Sequence, residues 1–132
     1  MNVTGGCHCG AIRYEVNGDP MVHTLCHCAD CRRHAGAPMV GWTMYARAAV
    51  KVVRGQPKIY QSSEHGRRHF CADCGTHLTT RRPGLPAVIL KVGTLDDPAL
   101  FGTPQMAIYT VDKQAFHHIP DGLPAFERLP KR

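Results

Sequence analysis

The residues best suited to chemistry in this chain are seven cysteines in three short clusters. The clusters are Cys7 and Cys9, then Cys26, Cys28 and Cys31, then Cys71 and Cys74. Seven thiols cannot all pair in disulfides. The first residues lack the charged and apolar regions of a secretion signal, so the thiols are expected to stay reduced. Clustered thiols in such a chain are typical zinc ligands, and the sequence therefore predicts metal binding.

The first and last clusters together offer four sulfurs. Cys7 and Cys9 are two positions apart, and in an extended chain such side chains point to the same side. Cys71 and Cys74 form a C-x-x-C pair followed by Gly75, which resembles a zinc knuckle and can take a positive φ. Four thiolates around one ion are the closed, structural zinc pattern. Such an ion would tie the N-terminal strand to the middle of the chain and contribute directly to folding.

The middle cluster has three cysteines within six residues and no eighth cysteine to complete it. A zinc ion with three protein ligands and a vacant or water-filled fourth position is the catalytic pattern. A division into four and three uses all seven cysteines and predicts one structural and one catalytic ion. Two alternatives stay open at this point. In one, Cys7 and Cys9 join Cys26 and Cys28; in the other, a neighbouring histidine closes the site, the candidates being His23, His27 and His34.

Short strands separated by Gly and Pro turns must position these clusters, which predicts a mainly antiparallel β fold. Strands are predicted over residues 11–16, 21–25, 40–45, 106–111 and 116–119, with a central strand over 87–92. Residues 50–53 and 58–61 flank Arg54-Gly55-Gln56-Pro57, which indicates a hairpin. One short helix is predicted over 29–35, ended by Gly36, and a helical turn over 96–100, where a carboxylate is favourable at the N-terminus.

Length and charge limit the classes of protein that the chain could represent. Its 132 residues predict one domain over residues 1–132, and no apolar run is long enough for a membrane helix. A cytoplasmic location is the expectation. Seven thiolates and two divalent ions change the net charge by −3, from +6 to +3. The arginines occur as scattered pairs without interleaved aromatic residues, which argues against a nucleic-acid interface.

Four stretches carry a resemblance to a known family. They are GCHCG at 6–10, CHCADCR at 26–32, FCADCGTH at 70–77 and GTLDDP at 93–98. With these stretches the chain resembles the glutathione-dependent formaldehyde-activating family, whose domain also appears in centromere protein V. All seven cysteines have counterparts in order, and the similarity covers nearly the whole chain.

The resemblance implies a mainly β, Mss4-like fold of short antiparallel sheets built around two zinc sites. It implies that Cys7, Cys9, Cys71 and Cys74 hold a structural zinc and that Cys26, Cys28 and Cys31 hold a second, catalytic zinc. It also implies a carbon–sulfur lyase reaction in which glutathione and formaldehyde give S-hydroxymethylglutathione. The alternatives are another thiol substrate, or a non-enzymatic zinc scaffold that binds nucleic acid or a protein partner.

The sequence departs from the family pattern near its C-terminal end. Phe116 stands where the family commonly has a Trp, and Pro104 is followed by Gln105 where many members soon have a His. Both departures bear on the substrate more than on the metal ligands. Within the predicted site, sequence proximity offers His27 and His34 as proton donors, and Arg32 and Arg33 as partners for a substrate carboxylate.

Overall fold

The computed structural model describes residues 2–130. One seven-residue α-helix, α1 (Ala29–Ala35), lies among ten short strands and four 3-10 turns. The strands are β1 (Asn2–Gly6), β2 (Arg13–Asn17), β3 (Val22–Cys26), β4 (Val40–Ala46), β5 (Val50–Arg54), β6 (Lys58–Gln61), β7 (Arg67–Phe70), β8 (His77–Arg81), β9 (Ala87–Lys91) and β10 (Met106–Ile108). No helix in this part of the chain has the length and apolar composition needed to cross a membrane.

The strands form two sheets that share no strand. The small sheet has the order β1-β2-β5 and is antiparallel throughout. The large sheet has the order β10-β3-β4-β9-β8-β7-β6, in which β10 runs parallel to β3 and the other neighbours are antiparallel. The fold is therefore mainly β, as predicted.

The large sheet buries both of its faces near β9. Leu90 lies opposite Thr43 on one face, where it packs with residues of the small sheet such as Val16. On the opposite face Lys91 lies opposite Trp42, which packs in a second cluster with cysteines of the middle set. Successive residues of a strand point to opposite faces, so a run that is apolar on both sides suits this central position.

A short 3-10 segment after β9 fastens the small sheet to the large one. The hydroxyl groups of Thr94 and Tyr14 lie 2.7 Å apart, and Leu95 forms an isolated bridge with Gly5. Asp96 accepts hydrogen bonds from Thr4 and Arg13 of the small sheet. The GTLD stretch that carried part of the resemblance therefore has a structural role in this chain.

Most of the predicted elements are confirmed. The strands over 11–16, 21–25, 40–45 and 87–92 are present with shifts of one or two residues, and β9 lies at the centre of its sheet. The helix occupies Ala29–Ala35 and ends at Gly36, whose φ is 68°. The predicted helical turn is the 3-10 turn Pro98–Phe101, where the Asp97 side chain accepts a hydrogen bond from Ala99 N–H.

The hairpin over residues 50–61 was a wrong prediction. The two strands exist, but β5 pairs with β2 in the small sheet and β6 pairs with β7 in the large one. Gly55 has a φ of 73°, as a turn residue should, yet a Cβ there would lie 2.3 Å from the Ala11 carbonyl oxygen. The turn is thus packed against the small sheet and leads the chain away from β5. Local turn residues do not fix which strands pair.

Two further predictions fail towards the C-terminus. The strand over 106–111 stops at Ile108, because Tyr109 has a φ of 54° and the 3-10 turn Thr110–Asp112 follows. Residues 116–119 form no strand; Phe116 is 76% exposed and His117 N–H bonds back to the Gln114 carbonyl. The exposed apolar residues of this turn, over 116–119, resemble the sequence pattern of a strand. The strands β1, β7 and β8 were not predicted.

The close approach of the two sheets predicts that Gly5→Ala is strongly destabilising. An added Cβ would lie 2.2 Å from Tyr14 Oη and 2.5 Å from the backbone oxygen of Thr94. Since backbone must then move, we expect a loss of about 3 kcal/mol in the free energy of unfolding, measured by urea denaturation. The matched control is Gly93→Ala, where an added Cβ meets no atom within 4 Å. Equal stability of the two variants would contradict this packing.

Candidate metal centres

The sulfurs of the first and last cysteine clusters meet at the junction of the two sheets. All four sulfurs, those of Cys7, Cys9, Cys71 and Cys74, lie within 4.8 Å of one another. The Cys9 sulfur lies 3.7 Å from that of Cys7 and 3.8 Å from that of Cys71. A tetrahedral zinc with Zn–S bonds of about 2.3 Å requires sulfurs about 3.8 Å apart. The donor set therefore fits a zinc ion in number, type and spacing.

Two glycine-containing turns orient the side chains that carry these sulfurs. Gly10, with a φ of 80°, closes the first turn by donating its N–H to the Cys7 carbonyl. Gly75, with a φ of 82°, does the same for Cys71 in the second turn. Backbone N–H groups in such turns can face the sulfurs, and that of Ile12 lies 3.2 Å from Cys7 Sγ. The positive φ of Gly75 was predicted from the sequence.

Thr76 connects the two turns. Its hydroxyl accepts a hydrogen bond from His8 N–H at 3.1 Å and lies 3.2 Å from Cys74 Sγ. The hydroxyl contact and further N–H groups lower the pKa of Cys74 to about 5. A thiol with that pKa is already a thiolate at neutral pH, which is the form that binds metal.

The middle cluster forms a separate set of three sulfurs. Cys26 ends β3, Cys28 is the N-cap of α1 and Cys31 lies in its first turn. Their sulfurs lie within 4.8 Å of one another, with 3.7 Å between Cys26 and Cys31. Cys28 Sγ accepts the Cys31 N–H at 3.3 Å, so one thiol both caps the helix and joins the set. Hydrogen bonds from the thiols of Cys26 and Cys28 lower the pKa of Cys31.

Among residues 2–130, no histidine nitrogen joins the three sulfurs at this distance. His27 is completely buried, and its Nδ1 lies 3.2 Å from the Ile108 carbonyl oxygen. The His34 ring packs edge-on against the His77 ring, 4.1 Å between centroids, and His23 packs edge-on against Phe101. The partition of Cys7 and Cys9 with Cys26 and Cys28 is likewise absent from the sets formed by the described residues.

A buried arginine contacts the three-cysteine set. Arg68 on β7 is 3% exposed and its Nη2 lies 3.5 Å from Cys31 Sγ. The same guanidinium donates to the carboxylate of Asp30, to Ser62 Oγ at 3.0 Å and to Thr80 Oγ1 at 3.1 Å. Arg68 thus places a positive charge beside a thiol while Asp30 keeps that charge paired. Sequence reasoning assigned no role to Arg68, which belongs to one of the scattered arginine pairs.

Lys91 is a second buried cation, and it lies on the same face of the large sheet as Arg68. Its side chain is on the face of Trp42, and burial lowers its pKa to about 8. The thiols of Cys31, Cys26 and Cys28 act in the opposite direction and favour its charged form. Sequence reasoning missed this residue, although a single lysine inside the apolar run 87–92 was the available signal.

An open pocket of ≈ 570 Å³ lies between the end of α1, the second glycine turn and the segment after β9. Its lining includes His34, Met39, His77, Lys91 and Gly93. Burial lowers the pKa of His34, and lowers that of His77 to about 2, so both rings are neutral at pH 7. Another concavity, lined by residues 46–48 and 84–86, contains residues of neither cysteine set.

Three other residues singled out from the sequence, namely Arg32, Arg33 and Phe116, lie outside the pocket lining. Arg32 and Arg33 are in the last turn of α1, half-buried and exposed respectively, and neither lines the pocket. Phe116 is exposed on a C-terminal turn. The pocket lining therefore includes His34, but it does not include Arg32 or Arg33, the predicted partners of a substrate carboxylate.

The Arg68 network predicts that Asp30→Ala destabilises the protein. The substitution leaves a buried guanidinium without its carboxylate, which is costly in a buried pair. Since the Asp30 side chain is 42% exposed, we expect a loss of about 2 kcal/mol in the free energy of unfolding rather than the larger values of fully buried pairs. Glu64→Ala is the control, because that side chain is 88% exposed. Equal urea midpoints for both variants would contradict the role given to Asp30.

Comparison with known proteins finds relatives of this chain. A protein of Halomonas elongata, named glutathione-dependent formaldehyde-activating enzyme, is 31% identical over 113 residues, 80% of this chain and 72% of that protein. A protein of Schizosaccharomyces pombe, named an uncharacterized lyase, is 31% identical over 74 residues, 56% of this chain and 53% of that protein.

A crystal structure of a Rhodobacter sphaeroides protein superposes with a TM-score of 0.60 at 28% identity, covering 76% of this chain and 96% of that one. The family model described as glutathione-dependent formaldehyde-activating enzyme matches residues 2–112, which include all seven cysteines. The chain therefore belongs to the glutathione-dependent formaldehyde-activating enzyme family.

Proposed function

We propose that the chain is a zinc-dependent carbon–sulfur lyase-type enzyme that acts on a thiol adduct, converting glutathione and formaldehyde to S-hydroxymethylglutathione. The observation that carries the proposal is a set of three sulfurs without a fourth protein ligand among the described residues, beside a separate set of four. The family match and the names of the relatives support this substrate pair. A cytoplasmic location suits it, since thiols stay reduced there.

The two sets are proposed to have different roles. Cys7, Cys9, Cys71 and Cys74 bring four sulfurs together at a junction between the sheets, and four thiolate ligands suit a structural zinc. Cys26, Cys28 and Cys31 leave one position free, which suits a catalytic zinc. Zinc held by three thiolates would supply a site that favours the thiolate form of an incoming thiol.

The overall reaction needs a positioned sulfur and one proton transfer. A carbon–sulfur bond forms between the thiol sulfur and the formaldehyde carbon, and the carbonyl oxygen takes up the proton that the sulfur gives away. Arg68 holds Cys31 in place through its contact with the sulfur. The apolar side chains of Trp42 and Ile108 pack around Cys26 and Cys31 and limit water there. His34 is the better placed proton carrier, because it lines the pocket whereas His27 is completely buried.

The proposed division of roles predicts different outcomes for Cys71→Ser and Cys28→Ser. Cys71→Ser should lose folded structure together with metal, since it breaks the set that joins the sheets. Cys28→Ser should lose one zinc and the activity while keeping most of the fold. Zinc content per chain and circular dichroism check the two variants. Equal unfolding of both would contradict the division.

The function is tested first with Co²⁺ in place of zinc. Absorption bands of thiolate-bound Co²⁺ report the coordination of the ion, and we expect a saturable change when glutathione is added to the protein with two Co²⁺ bound. Cys28→Ser is the control and should give no such change. An unchanged spectrum in the unmodified protein would indicate a closed centre, and would favour a zinc scaffold or a different substrate over the proposed enzyme.

A further inference from the structure

Lys91 is a buried cation without a hydrogen-bond partner among the described residues. Its side chain is only 5% exposed, and no hydrogen-bond acceptor meets its Nζ. Burying an unpaired ammonium costs several kcal/mol, so such a group is expected to face a negative charge. The carboxylate of Asp30 is engaged by Arg68. Among the described residues, no salt bridge joins Lys91 to a carboxylate.

The position of Lys91 directs that charge toward the three-cysteine set. Lys91 lies opposite Trp42 in the sheet, and Trp42 packs with Cys26 and Cys31. All three thiols of the set act electrostatically on the ammonium. Cys26 lies opposite Val40, two residues from Trp42 on β4, so Cys26 and Lys91 project from the same face of the large sheet.

Lys91 also forms part of the wall of the open pocket. The lining residues, all within the described part of the chain, include Lys91 as their one lysine and contain no arginine, aspartate or glutamate. The two histidines of the lining are neutral at pH 7, because burial lowers their pKa. Lys91 is thus the one cationic side chain of this lining, which also includes Cys74, a member of the four-sulfur set.

Charge balance at the three-cysteine set indicates what Lys91 would do. Three thiolates and one divalent zinc leave a net charge of −1, and an incoming thiolate makes it −2. Such a concentration of negative charge is unfavourable in a poorly solvated site unless a cation lies close by. We propose that Lys91 is the positioning residue that stabilises the substrate thiolate in the fourth position beside Cys26, Cys28 and Cys31. This inference rests on the proposed function.

The test compares an anionic and a neutral fourth ligand on the Co²⁺-loaded protein. Lys91→Met keeps the length of the side chain and removes its charge. Glutathione and 2-mercaptoethanol, which bind as thiolates, should bind about 10- to 100-fold more weakly to this variant, as expected for loss of a charge-assisted interaction. Imidazole, a neutral ligand, should bind with nearly unchanged affinity. Lys91→Arg should restore part of the thiol affinity.

Matched controls separate this electrostatic role from a structural one. Lys58→Met makes the same change of charge at an exposed residue of β6 and should leave the affinity for thiols unchanged. Each variant is first shown to bind two Co²⁺ per chain, so that a loss of thiol binding is not a loss of metal.

Several outcomes would overturn the proposal. Unchanged thiol affinity in Lys91→Met would do so, as would an equal weakening for thiols and imidazole, which indicates a structural effect. Loss of glutathione binding with retained 2-mercaptoethanol binding would show that Lys91 holds a carboxylate remote from the sulfur. If the unmodified protein responds to none of the three ligands, the open centre itself is wrong, and the proposed function fails before the question of Lys91 arises.

Discussion

The convergence of four sulfurs from two distant turns is the constraint on which the rest of this structure depends. The two sheets share no strand, and the small, three-stranded sheet buries its apolar face against the large one. Packing around Val16 and Leu90 and the sulfur set join it to the large sheet. Free thiols at these distances would contribute little, whereas thiolates around a metal would add binding free energy directly to folding. A structural zinc in this set would thus hold the small sheet on the large one.

The three-cysteine set is formed differently, by a short continuous segment of the chain. A strand that ends at Cys26 and a helix that begins after Cys28 bring three sulfurs together within six residues, so no long-range contact is needed to form the set. Long-range contacts instead adjust its charge. Arg68 reaches Cys31 from β7, and Lys91 approaches from β9, both buried. Ligand spacing is therefore local, while the electrostatic environment is made by strands far along the chain.

This difference explains how much the sequence could reveal. The three-cysteine set, α1 and the central strand β9 could be predicted because spacing, capping and apolar runs are local patterns. The four-sulfur set was predicted from ligand number, since a division into four and three uses all seven cysteines. The pairing of β5 with β2 could not, since a turn at Gly55 looks the same whichever sheet the next strand joins. Arg68 and Lys91 were not predicted for the same reason, because their importance comes from what lies opposite them in the folded sheet. From sequence alone, a basic residue in a strand is usually expected to be exposed to solvent.

The segment after β9 connects the two centres physically. It follows Lys91, continues through residues that line the pocket, and reaches the small sheet through Thr94 and Tyr14. The second glycine turn also belongs to both regions, because Cys74 is a member of the four-sulfur set and part of the pocket lining. Any displacement of the small sheet must therefore move two walls of the pocket. A rigid four-sulfur set would accordingly help to keep the pocket in shape, which gives the structural centre a direct part in positioning the proposed substrate.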